Sequence, residues 1–387
     1  MPSVHLRSAK SAIDEPNAAA EALLGQLGAN IPKFLMLFAS RNRDQVALNR
    51  AIRERLPKET RLVGATTGGE LDNSGYTQGS VMLAGLEGDF DVGIGFGRGL
   101  SVDAARAGSD AVEQAARELG TRVAELDTKE HVGIVIDDGY QMKKEELLLG
   151  ILEKNQGLVL VGGGAGDSEA DPFKASSLTH VDGEVLNDGA LVVLFRTRAP
   201  WAAMRSHWYE PTGERVRVTK VDETTRRILE LDGKPAAQRY AEIVGVPVAE
   251  LTMAHVHNLM ANSLALRVGR EYFLRAVWKS FEDDSLIAFN MMREDQELDV
   301  MRQGDMVGAT RRFFTEELPR RVPKATATIL FDCGARRLVA QMSGKLDEVG
   351  ETLKLAPPCA GYTVNFEIYC GFQVNSTLTS LTFGASP

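Results

Sequence analysis

Three stretches of this chain repeat one plan: an apolar run, a polar segment with helical periodicity, and a second apolar run closing on a glycine. They run from Phe34 to Gly64, from Val132 to Gly162 and from Thr326 to Gly361, offsets of 30, 30 and 35 residues. In the first and third copies another apolar run is in place 17 residues past the glycine, at Val81 and Leu378; in the second it comes later, near Val192. A fully apolar or alternating run, a stretch of period 3.6 and another apolar run read as strand, helix, strand. The pattern predicts an α/β fold of two layered mixed-sheet domains built by duplication of strand–helix–strand–strand units.

A chain of 387 residues is too long for one ordinary core. The pattern breaks at Pro200, so a boundary is expected there, with residues 1–198 holding the first two repeats and residues 199–387 ending in the third. The runs SVMLAGL and FDVGIGF flank Glu87, Gly88 and Asp89 and predict a hairpin. Ala104 to Leu119 is amphipathic and predicts a helix. The glycines Gly93, Gly95, Gly97 and Gly99 fall within a strand pattern and suggest a bend or bulge. The stretch Asp167 to Lys174 reads as a polar loop.

A net charge of −9 argues against general binding to nucleic acid or anionic membranes. There is no apolar h-region near the start and no run approaching 18 apolar residues, which points to a cytoplasmic protein. The three cysteines, Cys333, Cys359 and Cys370, match no zinc spacing and no disulfide framework.

Two glycine-rich strand ends stand out. Gly64-Ala-Thr-Thr-Gly-Gly-Glu70 offers small residues, the hydroxyls of Thr66 and Thr67 and a carboxylate. Gly162-Gly-Gly-Ala-Gly-Asp167, with Gly163 and Asp167, occupies the equivalent place in the second repeat. Such turns expose backbone N–H groups and let a ligand come close, although tight strand connections use glycine for the same reason. Neither matches a dinucleotide fingerprint or a P-loop. In the third repeat Cys333 ends a strand where a helix opens, a position that can lower a thiol pKa, with Arg336 nearby; a buried, inert thiol is the commoner fate. His255 and His257 are the one histidine cluster. If extended, they would present both rings to one face, which permits a metal or haem iron to be bound, but no third ligand accompanies them.

Taken together, these residues resemble the FIST family, the paired FIST N-terminal and FIST C-terminal sensory domains of bacterial signalling proteins. The N-terminal match is Gly64 to Glu70, Gly79-Ser-Val-Met-Leu-Ala84, Val161 to Asp167 and Asp188-Gly-Ala-Leu-Val-Val193. The C-terminal match is Glu230-Leu-Asp-Gly-Lys-Pro-Ala236 with Tyr240, Phe331-Asp-Cys-Gly-Ala-Arg336, Ala360 to Glu367 and Asn375-Ser-Thr-Leu378. The family usually places glycine before the glutamate of its last motif, where this chain has Phe366, and often Cys or Ser where it has Ala65. The resemblance implies a small-ligand sensor, with amino acids among the proposed ligands. A haem-binding, nitric-oxide-sensing branch that regulates a separate histidine kinase or cyclic-di-GMP enzyme is similar in size and layout. The opening Ser8-Ala-Lys-Ser11 and the segment Asn73-Ser-Gly-Tyr76 look like that branch.

The reading that follows is a sensory protein and not an enzyme, which signals to a separate partner and takes a symmetric homodimer as its default assembly. Glu70 and Glu367 follow equivalent strand ends and would hold an ammonium group, with Asp167, Arg336 and Asn375 completing the ligand set. Haem is the specific cofactor expectation, with His255 and His257 as iron candidates. An amino-acid sensor without haem is the alternative. An enzyme using Cys333 as nucleophile, and a scaffold with no ligand, are the readings to discriminate against.

Overall fold

The computed structural model describes residues 1–169 and 174–386, so part of the polar loop expected at Asp167 to Lys174 lies outside the described residues. Within each repeat the two apolar runs form a parallel pair of strands: Phe34–Ser40 with Arg61–Thr67, His131–Asp137 with Leu160–Gly164, and Ala325–Cys333 with Cys359–Tyr369. The glycine that closes each repeat faces the first strand of its pair, Gly64 against Leu37, Gly162 against Val135 and Gly361 against Leu330. A Cβ at these glycines would lie 1.9, 2.0 and 2.0 Å from the facing carbonyl oxygen. No side chain fits so close an approach, so the same close backbone contact is used three times.

The later apolar runs close each unit. Val81–Gly88, Gly189–Arg196 and Leu378–Gly384 each lie antiparallel to the first strand of their pair. On their other side lies an opening strand, Val4–Ser11, Asp91–Arg98 and Trp201–Ser206 respectively. Val4–Ser11 and Trp201–Ser206 were not foreseen, because each mixes charged and small residues. The hairpin expected of SVMLAGL and FDVGIGF does not form. Val81–Gly88 is already paired on both sides, by Val4–Ser11 and Phe34–Ser40. The chain therefore uses the turn at Glu87 to Asp89 to cross into the next unit.

The three units face one another. Phe34, Met36 and Phe38 point into a common core with Val132, Ile134, Ile136, Ile329 and Phe331. The intervening Leu35 and Leu37 pack under the helices Pro16–Leu27 and Gln45–Arg53. Phe195 of the second unit meets Phe34 of the first edge-on at 5.3 Å and Phe383 of the third at 5.6 Å. Phe38 stacks on Tyr362 at 4.6 Å. Aromatic pairs of this kind add about 0.5–1.5 kcal/mol each beyond their burial, so the junction binds all three repeats.

The third repeat is accordingly not set apart in a second half of the chain. Its Cys359–Tyr369 strand pairs with Leu160–Gly164 of the second unit, and the two units share one 11-stranded sheet. What is separate is an insertion between the third unit's opening strand and its parallel pair. This holds an 8-stranded sheet, from Tyr209–Asp222 to Glu297–Gln303, and the helix Ala236–Val244 over a core that includes Val218, Tyr240 and Leu298. The break seen near Pro200 precedes this insertion, which interrupts the sequence of the unit without interrupting its sheet.

Gly93, Gly95 and Gly97 serve packing, whereas Gly99, past the end of the strand with a φ of 74° and open space around it, opens the turn that follows. A Cβ at Gly93, Gly95 or Gly97 would lie 2.1, 1.9 or 1.8 Å from the carbonyl oxygens of Ala115, Ala111 and Ala107. Residues two apart on a strand face residues four apart on the helix Ala104–Glu118, and the absence of side chains lets helix and strand touch.

Candidate functional site

The strand ends of the three units converge, and most of the sequence-predicted site residues spend their polar groups on this seam. Glu70 is fully buried and accepts hydrogen bonds from Thr67 Oγ1 at 2.5 Å and from Ser80 Oγ. Burial raises its pKa against the pull of those two hydroxyls. Thr66 Oγ1 accepts from the Leu178 amide at 2.9 Å. The backbones of Gly68 and Gly69 exchange hydrogen bonds with Thr363. Gly163 lies against Val364, whose side chain a Cβ there would meet at 2.7 Å, and its carbonyl accepts from Tyr362 Oη. The Asp167 carboxylate accepts from the amides of Glu169 and Ser176.

Arg336 is buried in an ion pair with Asp332 at 2.5 Å and also reaches Tyr76 Oη and Thr310 Oγ1. Asn73 of the Asn73–Tyr76 segment bonds the carbonyls of Leu353, Ala356 and Pro357 and accepts from the Cys359 amide. These groups act as staples between units. Of the predicted ligand residues, Gly64, Thr66, Thr67, Glu70, Gly163, Asp167, Arg336, Glu367 and Asn375 all lie outside the lining of the cavity described next.

That cavity, about 360 Å³, opens where the third unit meets the insertion. Its floor is the start of the helix Gly334–Met342, with Cys333 before it, and the strand segment Val364 to Phe366. One wall is aromatic. Trp278 and Phe289 stack with centroids 5.5 Å apart and planes at 23°, and Phe289 meets Phe366 at 4.6 Å. The short helices of residues 253–261 add Met253, Val256, Leu259 and Met260, and the second unit adds Tyr140 and Met142. At the mouth, Met253 is 46% exposed and Leu338 37%. Among the described residues, none in the lining is an acid, a lysine, an arginine or a histidine.

Phe366 owes its position to a bulge. Asn365 pairs with Gly164 and Glu367 with Gly163, so Phe366 has no partner and its φ is 62°. That conformation is glycine's usual place in a bulge. Met142 and Ser376, also in the lining, share it with φ of 54° and 55°. Of the ten non-glycine residues at positive φ among the described residues, five are aspartates, a residue type that tolerates such turns. Met, Phe and Ser gather on the cavity instead.

Cys333 is the one predicted ligand residue in the lining. Its thiol differs from the helix-start expectation. Burial, and then the neighbouring Glu367, push its pKa well up, and its sulfur accepts from the Ser376 amide at 3.2 Å. Glu367 lies behind it, fully buried, and accepts from the Thr377 amide at 2.6 Å, while its Oε2 has no partner. Burial raises its pKa to about 8, more than the Thr377 hydrogen bonds lower it. Asn375 is turned to the Leu274 carbonyl and Asn290.

The histidines form short helical turns, not an extended strand, with ring centroids 6.2 Å apart in an edge arrangement. His255 bonds Thr252, and neither ring lines the cavity. Among the described residues no group of three or more His, Cys, Asp or Glu is placed to hold a metal ion. Burial keeps the lining's thiol protonated, and among the described residues no lysine, arginine or histidine lines the cavity. The residues that sequence reasoning missed, Trp278, Phe289 and the apolar side chains of residues 253–260, have no motif. Their signal is a tryptophan and methionines on short elements, which spacing alone cannot join.

No helix among the described residues is long and apolar enough to cross a membrane. A FIST N domain model matches residues 33–234 and a FIST C domain model matches residues 236–370. An uncharacterized protein of Methanocaldococcus jannaschii is 26% identical over 186 residues, 47% of this chain and 35% of that relative, so the chain spans about a third of its length. Among solved structures, PurLQS from Thermotoga maritima is 12% identical with a TM-score of 0.18, covering 100% of this chain and 74% of that one. Phosphoribosylformylglycinamidine synthase II from the same organism is 13% identical with a TM-score of 0.20, covering 99% and 72%.

Proposed function

The chain belongs to the FIST family, with a FIST N and a FIST C domain, and from that premise we propose that it senses a small ligand held in the cavity between the third unit and the insertion. FIST domains are sensory domains that bind small ligands in signalling proteins. The observation that carries the proposal is the cavity itself, about 360 Å³, apolar, floored by a helix start and roofed by short helices. Small-molecule sites have this size and character. The binding event then passes to a separate signalling protein, such as a histidine kinase or a cyclic-di-GMP enzyme. The helix Gly334–Met342 and the short helices of residues 253–261 carry both the cavity lining and the exposed apolar side chains Met253, Leu338 and Met342. They are the surfaces through which occupancy would be read.

Binding without catalysis is the reading we favour, because the cavity's one nucleophile is a thiol with a raised pKa. Haem is disfavoured by the lining described above, and an amino acid by the lack of any charged group to meet its ammonium or carboxylate. The test is ligand-induced thermal stabilisation, with hemin titrated in parallel by absorption. A ligand at 100 times its Kd adds about 2.7 kcal/mol. The stabilisation should vanish in Leu338→Trp, which closes the mouth. A saturable Soret band at one haem per chain, or stabilisation that survives Leu338→Trp, would refute the reading.

A further inference from the structure

We infer that the cavity takes a neutral, flat, ring-bearing molecule laid against the aromatic wall of Trp278, Phe289 and Phe366, and that the Phe366 ring sets how large that molecule can be. The inference rests on the sensory reading of this cavity and names its ligand class.

Three observations carry it. First, among the described residues the lining holds no formally charged side chain, so an ionic group lying against it would be partly desolvated without a direct ion-pair partner there. Second, the wall is a graded set of rings. Trp278 and Phe289 lie nearly parallel, with planes at 23°, and Phe366 is tilted against Phe289 at 45°. Offset stacking on such a surface rewards a planar partner. The polar contacts within reach are neutral. Asn365 donates its amide to the Gly139 carbonyl at 2.8 Å, which leaves its side-chain carbonyl as an acceptor for an N–H or O–H on the ligand's edge.

Third, Phe366 is kept where the backbone disfavours it. Its left-handed φ of 62° at an unpaired bulge position is a place for glycine, and two other lining residues, Met142 and Ser376, share that conformation. Strained backbone that gathers at one cavity marks a constrained binding surface. The bulge turns the Phe366 ring out of the sheet and into the cavity wall, against Phe289. A glycine here would satisfy the bulge and leave the space of a whole ring open. Phe366 therefore acts as a fixed stop, narrowing a site that would otherwise admit a longer ring system.

The experiment titrates the full chain by calorimetry with indole, indole-3-acetate, L-tryptophan and the three-ring carbazole, for the natural protein, Phe366→Gly and Phe366→Leu. Indole should bind saturably at one site per chain, with indole-3-acetate and L-tryptophan at least tenfold weaker. The preference for indole over carbazole should shift at least tenfold toward carbazole in Phe366→Gly, and in the same direction but less in Phe366→Leu, whose side chain keeps part of the volume. Circular dichroism identifies a variant that has failed to fold, and Phe366→Leu then carries the comparison. If the charged probes bind as tightly as indole, or only they bind, the ligand class is wrong while the sensory reading stands. If the indole-to-carbazole ratio is unchanged in both variants, Phe366 is not the stop. If no probe of any charge, hemin and amino acids included, binds or stabilises the protein, the sensory reading fails with the inference.

Discussion

The left-handed backbone of Phe366 makes a prediction whose sign runs against ordinary expectation. Replacing a half-buried phenylalanine removes its ring whatever follows, here including the 4.6 Å contact with Phe289. With Phe→Ala costing about 3–5 kcal/mol in a full core, roughly half that, about 2 kcal/mol, is expected at this exposure. Glycine normally fares worse than alanine by about 0.4–1 kcal/mol, because its unfolded chain is freer. At φ of 62°, however, any residue with a Cβ carries about 1–2 kcal/mol of steric cost that glycine does not. The balance leaves Phe366→Gly more stable than Phe366→Ala by about 0.5–1 kcal/mol. Phe289 supplies the control: it faces the same cavity but is not among the residues at positive φ, so there alanine should outrank glycine. Urea unfolding midpoints for the four variants, compared at unchanged m, decide the matter. If alanine outranks glycine at both positions, the strain argument is wrong.

Three further outcomes are expected. Glu367 keeps its proton in the fold up to about pH 8 but loses it near 4.5 when unfolded. Its contribution is therefore fully present below pH 4.5 and declines as pH rises through 8; Glu367→Gln should match the natural protein at pH 4 and gain on it steadily toward pH 8, and parallel stability–pH curves would refute this. Iodoacetamide at neutral pH should label the half-buried Cys370 before Cys333, whose thiol burial and Glu367 hold protonated; faster labelling of Cys333 would revive the nucleophile. Gly95→Ala places a Cβ 1.9 Å from the Ala111 carbonyl oxygen, so helix and strand must separate, at about 1–3 kcal/mol; a variant with an unchanged melting temperature would show that this contact is not as tight as described.

The fold was legible where it rests on local rules. Spacing located the three units because Gly64, Gly162 and Gly361 must each pass a carbonyl oxygen, and that requirement marks the sequence directly. The hairpin at Glu87 to Asp89 was misread because alternation reports that a strand has a buried face, not which strand it pairs with. The site was less legible. Glu70, Arg336 and Glu367 have the chemistry of ligand groups, but that chemistry is also what buried junctions need, and the structure places them there. The aromatic wall was invisible because Trp278 and Phe289 meet across one short strand pair of the insertion, while Phe366 lies far along the chain and joins them only when the insertion packs on its host unit.

The insertion leaves the third unit through Trp201–Ser206 and returns through Ala325–Cys333, and both of these strands pair with Leu378–Gly384, one on each side. It thus stands on two feet planted astride a single rail. Ser376, which lines the cavity and donates its amide to Cys333, lies two residues before that rail begins. A ligand that tilts the insertion cannot displace one foot without loading the other, and the load falls on a strand buried along its whole length. Three copies of the unit supply the stiffness, and only the interrupted one supplies a lever.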